Sequence, residues 1–231
     1  MSSKDYRNLK ITFDMQTPIC MSYPWIFFDS ILAHIAARRA DPDSYRKLDS
    51  KRVNLSLMES GKVRDLPIKW DKIYHASCSQ LNDENISYTT IYKRFADSAL
   101  FNLHPNIKMT KGWKVRRGQG HFKDFMIKLV TFHVPKISFY VNGDAKRIAE
   151  MLQDLPSLGK KASIGFGFFN SYKIEETEKD YSITKEGVAM RPIPIQMCEF
   201  YDDMAIMNFK PPYWSNMVTK CVPPGAKAIL K

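Results

Sequence analysis

Residues 139–167 read FYVNGDAKRIAEMLQDLPSLGKKASIGFG, and the order of patterns inside them decides the fold. Ile137, Phe139 and Val141 alternate with other residues at the period of a strand with one buried face. Asn142-Gly143 closes that alternation, and Asp144 stands where a helix N-cap belongs. Ile148, Met151, Leu152 and Leu155 then fall at helical spacing, until Pro156 ends the run. A turn holding Gly159, Gly165 and Gly167 leads into an aromatic strand through Phe168, Tyr172 and Ile174. Strand, helix, glycine-rich turn and strand is the second half of a βαββαβ unit.

Working outward, the first half is sought nearer the N-terminus. Leu9, Ile11, Phe13 and Met15 alternate as a half-buried strand, and a turn with Pro18 and Pro24 follows. Phe28, Ile31, Leu32 and Ile35 form one apolar helical face. Arg38 and Arg39 suit the C-terminal end of that helix, and Asp41-Pro42 stops it. Residues 41–65 are polar, an excursion with one short helix. Leu66–Ser79 is expected to be the next strand, with Ile68, Trp70 and Ile73 buried. Tyr88–Leu103 reads as mixed, helical around Tyr92, Phe95 and Leu100, and Phe125, Ile127 and Leu129 as another strand. The fold class predicted is α+β, a ferredoxin-like (RRM-like) βαββαβ core. It would occupy residues 1–176 with an insertion at about 80–121, and a smaller, less regular C-terminal lobe would occupy residues 177–231.

The chain of 231 residues carries a formal net charge of +11, which points to an anionic partner, nucleic acid ahead of membrane. Acidic residues from Glu175 to Asp203 make the last third locally acidic, so the surplus belongs to the rest. Cys20, Cys78, Cys198 and Cys221 form no C-x-x-C pair, and the histidines show no ligand spacing, so neither a metal nor a cofactor is expected. MSSKDYRNLK lacks a signal-peptide core, and no apolar run reaches the ~18 residues of a membrane span. A cytoplasmic setting with free thiols is the expectation.

Two segments could carry binding chemistry. The run 108–123 holds Lys108, Lys111, Lys114, Arg116, Arg117 and Lys123 without an Asp or Glu. Its cations would neutralise phosphates, and Trp113, His121 and Phe122 would stack on splayed bases. Trp113 equally suits a residue that anchors the loop to the core. The second segment is Gly159–Gly167, where Lys160, Lys161 and Ser163 sit among glycines that permit positive φ and close backbone approach. It is neither a Walker loop nor a dinucleotide fingerprint, since no strand precedes it and no helix follows it. An ordinary turn with surface lysines is the plain alternative. Arg191, in VAMRPIPI, would reach RNA or another subunit, or lie on the surface beside a rigid strand.

The turn at Gly159–Gly167, placed before the last strand of such a unit, resembles the glycine-rich loop of the RAMP superfamily of CRISPR-associated proteins. LKITFDMQTPI followed by FFDSILAHIA resembles that superfamily's opening strand and helix. With VAMRPIPI, PPYW and a late Cys-Val-Pro, the chain looks most like the Cas-five-group small subunit of type IV effector complexes. The loop departs from the superfamily in having one early glycine, Gly159. The resemblance implies a guide-RNA-binding subunit that holds the 5′ repeat handle and caps the backbone filament. Its implied partners are the crRNA and the backbone and large subunits, with contact to target nucleic acid left open. In that group a β-hairpin thumb presses on the RNA, and the basic run falls where it would stand. A metal-independent endoribonuclease acting through His34, or His121, is the alternative, and a general single-stranded RNA-binding module is a further one.

Overall fold

The computed structural model describes residues 5–21, 23–40, 65–81, 85–94, 118, 123–213, 215 and 218–231. Within them the chain is mixed α/β with antiparallel sheets. The elements run β1 (Arg7–Met15), β2 (Ile19–Cys20), α1 (Phe28–Ala40), β3 (Trp70–Asp71), β4 (Ile73–Tyr74), β5 (Gln80–Leu81) and β6 (Asn85–Lys93). There follow β7 (Phe125–His133), β8 (Lys136–Gly143), α2 (Ala145–Leu152) and β9 (Phe169–Glu176). The C-terminal region holds β10 (Thr184–Lys185), β11 (Val188–Ala189), β12 (Ile193–Pro194), β13 (Cys198–Tyr201), β14 (Ala205–Met207), β15 (Thr219–Val222) and β16 (Ala228–Leu230).

The central sheet has the order β5-β8-β1-β9, and each of its pairings is antiparallel. Alternation places Leu9, Ile11 and Phe13 of β1 beside Ile137, Phe139 and Val141 of β8 on one face. Both helices cover that face, α1 with Phe28, Leu32 and Ile35 and α2 with Ile148, Met151 and Leu152, all in one apolar cluster. Burying each large side chain there contributes roughly 1.5–3 kcal/mol. Asp144 caps α2 as expected, its carboxylate accepting from the Arg147 amide at 3.1 Å. Arg39 of α1 reaches Asp154 just beyond α2 at 2.6 Å, tying the helix ends together at the surface. No helix among the described residues is long and apolar enough to cross a membrane.

Three expectations are corrected. Leu66–Ser79 is not one strand: β3 and β4 make a tight hairpin, and Ile68 and Ala76 touch β8 through isolated bridges to Gly143 and Val141. Trp70 is half exposed, not buried. Tyr92 lies in β6 rather than in a helix; Phe95 and Leu100 fall outside the described residues, as does the excursion up to residue 64. The strands on either side of Pro135 are separate and belong to different sheets, β7 pairing with β2 and β6 and β8 with β1 and β5.

The C-terminal region has a small core of its own, built from Ala189, Ile193, Cys198, Val222 and Ala228. It is joined to the first core by a buried ionic network. Arg191 has no exposed surface, and its guanidinium pairs with Asp29 of α1 at 3.1 Å. The same guanidinium donates to the carbonyls of Tyr74, Ala76 and Phe209 and to the Tyr213 hydroxyl. Tyr213 donates to the Asp29 carboxylate, at 3.0 and 2.9 Å from its two oxygens, and its ring stacks on Phe27. Burial pushes the Tyr213 phenol well above its usual range, so it stays a donor. Arg191→Met strands a buried carboxylate and is expected to cost about 3–5 kcal/mol in urea unfolding. Asp29→Asn, which keeps a hydrogen-bonding partner for Tyr213, should lose less.

A second contact crosses the same junction. His75 Nδ1 lies 3.0 Å from Asp180, which also accepts from the Ser182 amide at 2.9 Å and from Asn142 at 3.2 Å. Burial pushes the Asp180 carboxyl up, but the hydrogen bonds from His75 and Ser182 outweigh it and hold the group well below the carboxylate range. A carboxyl depressed in the folded state stabilises the fold above its unfolded value, about 3.9. That contribution is lost as pH falls through the folded value. Stability followed by thermal unfolding should therefore drop below about pH 4, with a shallower drop in Asp180→Asn.

Candidate nucleic-acid interface

The glycine-rich turn is built around contacts that only glycine permits. Gly167 has φ +77°, and a Cβ there would stand 1.8 Å from the Leu158 carbonyl oxygen. Gly159 has φ +78°, and its Cβ would meet the Cys20 carbonyl and the Ile19 side chain, each at 2.8 Å. Between them Lys161 adopts a left-handed conformation, φ +67°, at the start of a single 3-10 turn, Ala162–Ile164. Lys160, Lys161, Ser163 and Gly165 are exposed.

Several amides of this turn are spent inside the chain. Lys160 donates to Cys20 at 2.9 Å, Gly167 to Pro18 at 2.9 Å, Gly165 to Ala162 at 2.9 Å and Ile164 to Lys161 at 3.1 Å. What the turn offers an anion is the side-chain charge of Lys160 and Lys161, both of them exposed.

The turn is stitched to a second feature. Cys20 of β2 bridges Lys160 on one side, and on the other it pairs with Thr131 of β7, next to Ile19 with Phe132. From there β7 and β6 run out together as a ribbon in unbroken register, from Asn85 opposite His133 to Lys93 opposite Phe125. At its base Thr131 is buried and Ser87 bonds both Thr131 and His133, at 2.9 and 2.8 Å. Farther out the ribbon is open. Ile86, Tyr88 and Tyr92 of β6 share a face with Met126 and Lys128 of β7; Tyr88 is 71% and Tyr92 68% exposed. The other face carries Lys93, its ammonium 6.0 Å above the Phe125 ring, and Ile127. Arg94 and Lys123 are exposed where the described strands of the ribbon end.

The expected site residues divide in three. Lys160, Lys161, Ser163, Gly159, Gly165, Gly167 and Lys123 are described, and the structure joins the turn to the ribbon that Lys123 begins. Lys108, Lys111, Trp113, Lys114, Arg116, Arg117 and His121 lie outside the described residues, in the segment connecting β6 to β7. Arg191 is fully buried, with both terminal guanidinium nitrogens hydrogen-bonded and Nε without a partner among the described residues, so it presents no charge to solvent, contrary to both readings that placed it at the surface. His34 is exposed on α1, and desolvation, then the Arg38 charge, holds its imidazole below the usual histidine range. The cysteines are unpaired and buried, and burial pushes the Cys78 thiol up to about 12 and that of Cys221 to about 11. Among the described residues no group of three His, Cys, Asp or Glu is placed to hold a metal.

Tyr88, Tyr92, Lys93, Arg94 and Lys128 were not anticipated. The signal was present: ISYTTIYK, residues 86–93, is a run of β-branched and aromatic residues, which favours a strand over a helix.

A central antiparallel sheet carrying two helices is thus joined at β2 to a glycine-rich turn and a basic-aromatic ribbon. Residues 7–223 match the model of a CRISPR type IV associated protein. That family is Csf3, and the chain belongs to it. A search of curated proteins gave no match.

The turn's dependence on glycine is open to test. Gly167→Ala should lower the melting temperature clearly, because its new methyl meets backbone. Gly165→Ala, which has open space around it and only a positive φ to resist it, should lower it by much less.

Proposed function

We propose that this Csf3-family chain is the guide-RNA-binding subunit of a type IV CRISPR effector complex, holding the 5′ repeat handle at the end of the backbone filament and cutting nothing itself. One observation carries the reading. Through β2, a turn bearing Lys160 and Lys161 is hydrogen-bonded to the base of a projecting ribbon that bears exposed tyrosines and cations. An RNA strand needs both chemistries at once, cations for its phosphates and flat rings for its unstacked bases. The run Lys108–Arg117 lies in sequence between the two strands of that ribbon and outside the described residues. The sheet order β5-β8-β1-β9, with α1 and α2 on one face, supports reading the core as a ferredoxin-like βαββαβ unit in which β5 is the second strand.

On this reading affinity comes chiefly from phosphate contacts and falls steeply with salt. The Lys160→Glu/Lys161→Glu double variant and the Lys114→Glu/Arg116→Glu/Arg117→Glu triple variant should each lose guide RNA from the purified complex while the circular dichroism spectrum stays unchanged. The RNA retained by wild type, sequenced with its termini mapped, should carry one repeat-derived 5′ handle and remain intact on incubation in chelator. RNA retained in full by both variants would sink the proposal. Specific cleavage lost in His34→Ala would replace it with the nuclease.

A further inference from the structure

The β3–β4 hairpin presents an indole that the core does not use. Trp70 is 49% exposed, and its ring meets Tyr74 edge-to-face at 4.5 Å, which leaves much of the indole in solvent. The hairpin is as tight as a hairpin can be: Trp70 pairs with Tyr74, Asp71 with Ile73, and Lys72 takes the turn at φ +60°. A lysine in that left-handed region is held there by its surroundings. Ile73 is fully buried beneath the tip. Lys69 donates to the Asn142 carbonyl at 2.8 Å, and His75 donates back to Lys69 at 2.9 Å. Arg191 clamps the carbonyls of Tyr74 and Ala76 from below. The platform is therefore rigid at its base and open at its tip.

From this geometry we infer that Trp70 is a stacking platform for one unpaired base of a single-stranded RNA, with Lys69 and Lys72 meeting the phosphates on either side. Two lysines and one acid, Asp71, stand within two residues of the ring, in a chain of net charge +11. That balance favours an anionic aromatic ligand over an apolar protein side chain. A flat ring held on a rigid turn stacks on any base, so the site adds affinity with little sequence preference. The site lies on neither the glycine-rich turn nor the ribbon. It rests on the RNA-binding reading above.

The test is titration of the full chain with a short oligouridylate, read both by tryptophan emission and by anisotropy of a labelled strand. Subtracting the Trp70→Phe titration from wild type isolates the Trp70 signal, which should be quenched on binding. Trp70→Ala should bind about tenfold more weakly; Trp70→Phe should lose less, and Phe200→Ala, an exposed aromatic elsewhere, should lose nothing. Circular dichroism checks that each variant is folded. Binding by wild type with no Trp70 quenching, or with Trp70→Ala unaffected, overturns this site and leaves the proposed function standing. A Trp70→Ala variant that keeps its RNA affinity but drops a co-purifying protein subunit assigns the ring to a protein interface instead, and overturns it too. No binding by wild type overturns both.

Discussion

Asp29, Arg191 and Tyr213 form the interaction on which the rest of the arrangement depends. The two charges have no exposed surface and lie 162 residues apart in the chain. An ion pair so placed gives little net stability over an apolar substitute, because desolvation offsets much of the attraction. Its value lies in what it forbids. The C-terminal region cannot shift on α1 without stranding a charge, and the 74–76 segment cannot leave without stripping two hydrogen bonds from the same guanidinium. One side chain thereby fixes three pieces of chain that share little periodic secondary structure.

That also explains which parts were legible from sequence. β1, β8, β9 and both helices follow period-two or period-3.6 patterns, and their boundaries came out close to those observed. The 66–79 segment defeated the same method because its buried residues, Leu66, Ile68, Ile73, Ala76 and Cys78, keep no single period. Bridges to β8 and the Arg191 clamp place them, and no local window contains those partners. Arg191 itself looked like a surface cation for the same reason: nothing near MRPIPI announces Asp29. An inserted hairpin was expected in this region, but β6 was missed differently, by reading Tyr92, Phe95 and Leu100 as a helical face across a run whose β-branched residues argued for a strand.

The glycine-rich turn shows what its glycines are needed for in the packed chain. Its glycines suggest amides freed to cradle an anion. In the structure Gly159 and Gly167 serve close packing, letting the turn press against Ile19, Cys20 and Leu158, and several of its amides bond within the chain. Charge is then left to lysine side chains, which are mobile and read phosphate but not base. On the proposed reading such a surface would add affinity at low salt more than discrimination.

Flat rings and apolar side chains stand exposed on the ribbon instead. A monomer gains nothing by holding Ile86, Tyr88, Tyr92 and Met126 in solvent: each exposed apolar side chain forgoes burial worth roughly 1.5–3 kcal/mol. Nor does the paired backbone require them, since the register from Asn85 to Lys93 would close equally well with polar residues on the open face. Apolar residues kept at exposed positions of a projecting two-stranded arm make physical sense if that arm is covered in use. Membership of a CRISPR type IV associated family supplies a setting, an assembly with other subunits, in which such cover would exist. The buried ion pair fixes the junction of α1, the 74–76 segment and the C-terminal region, while the ribbon keeps its apolar face open.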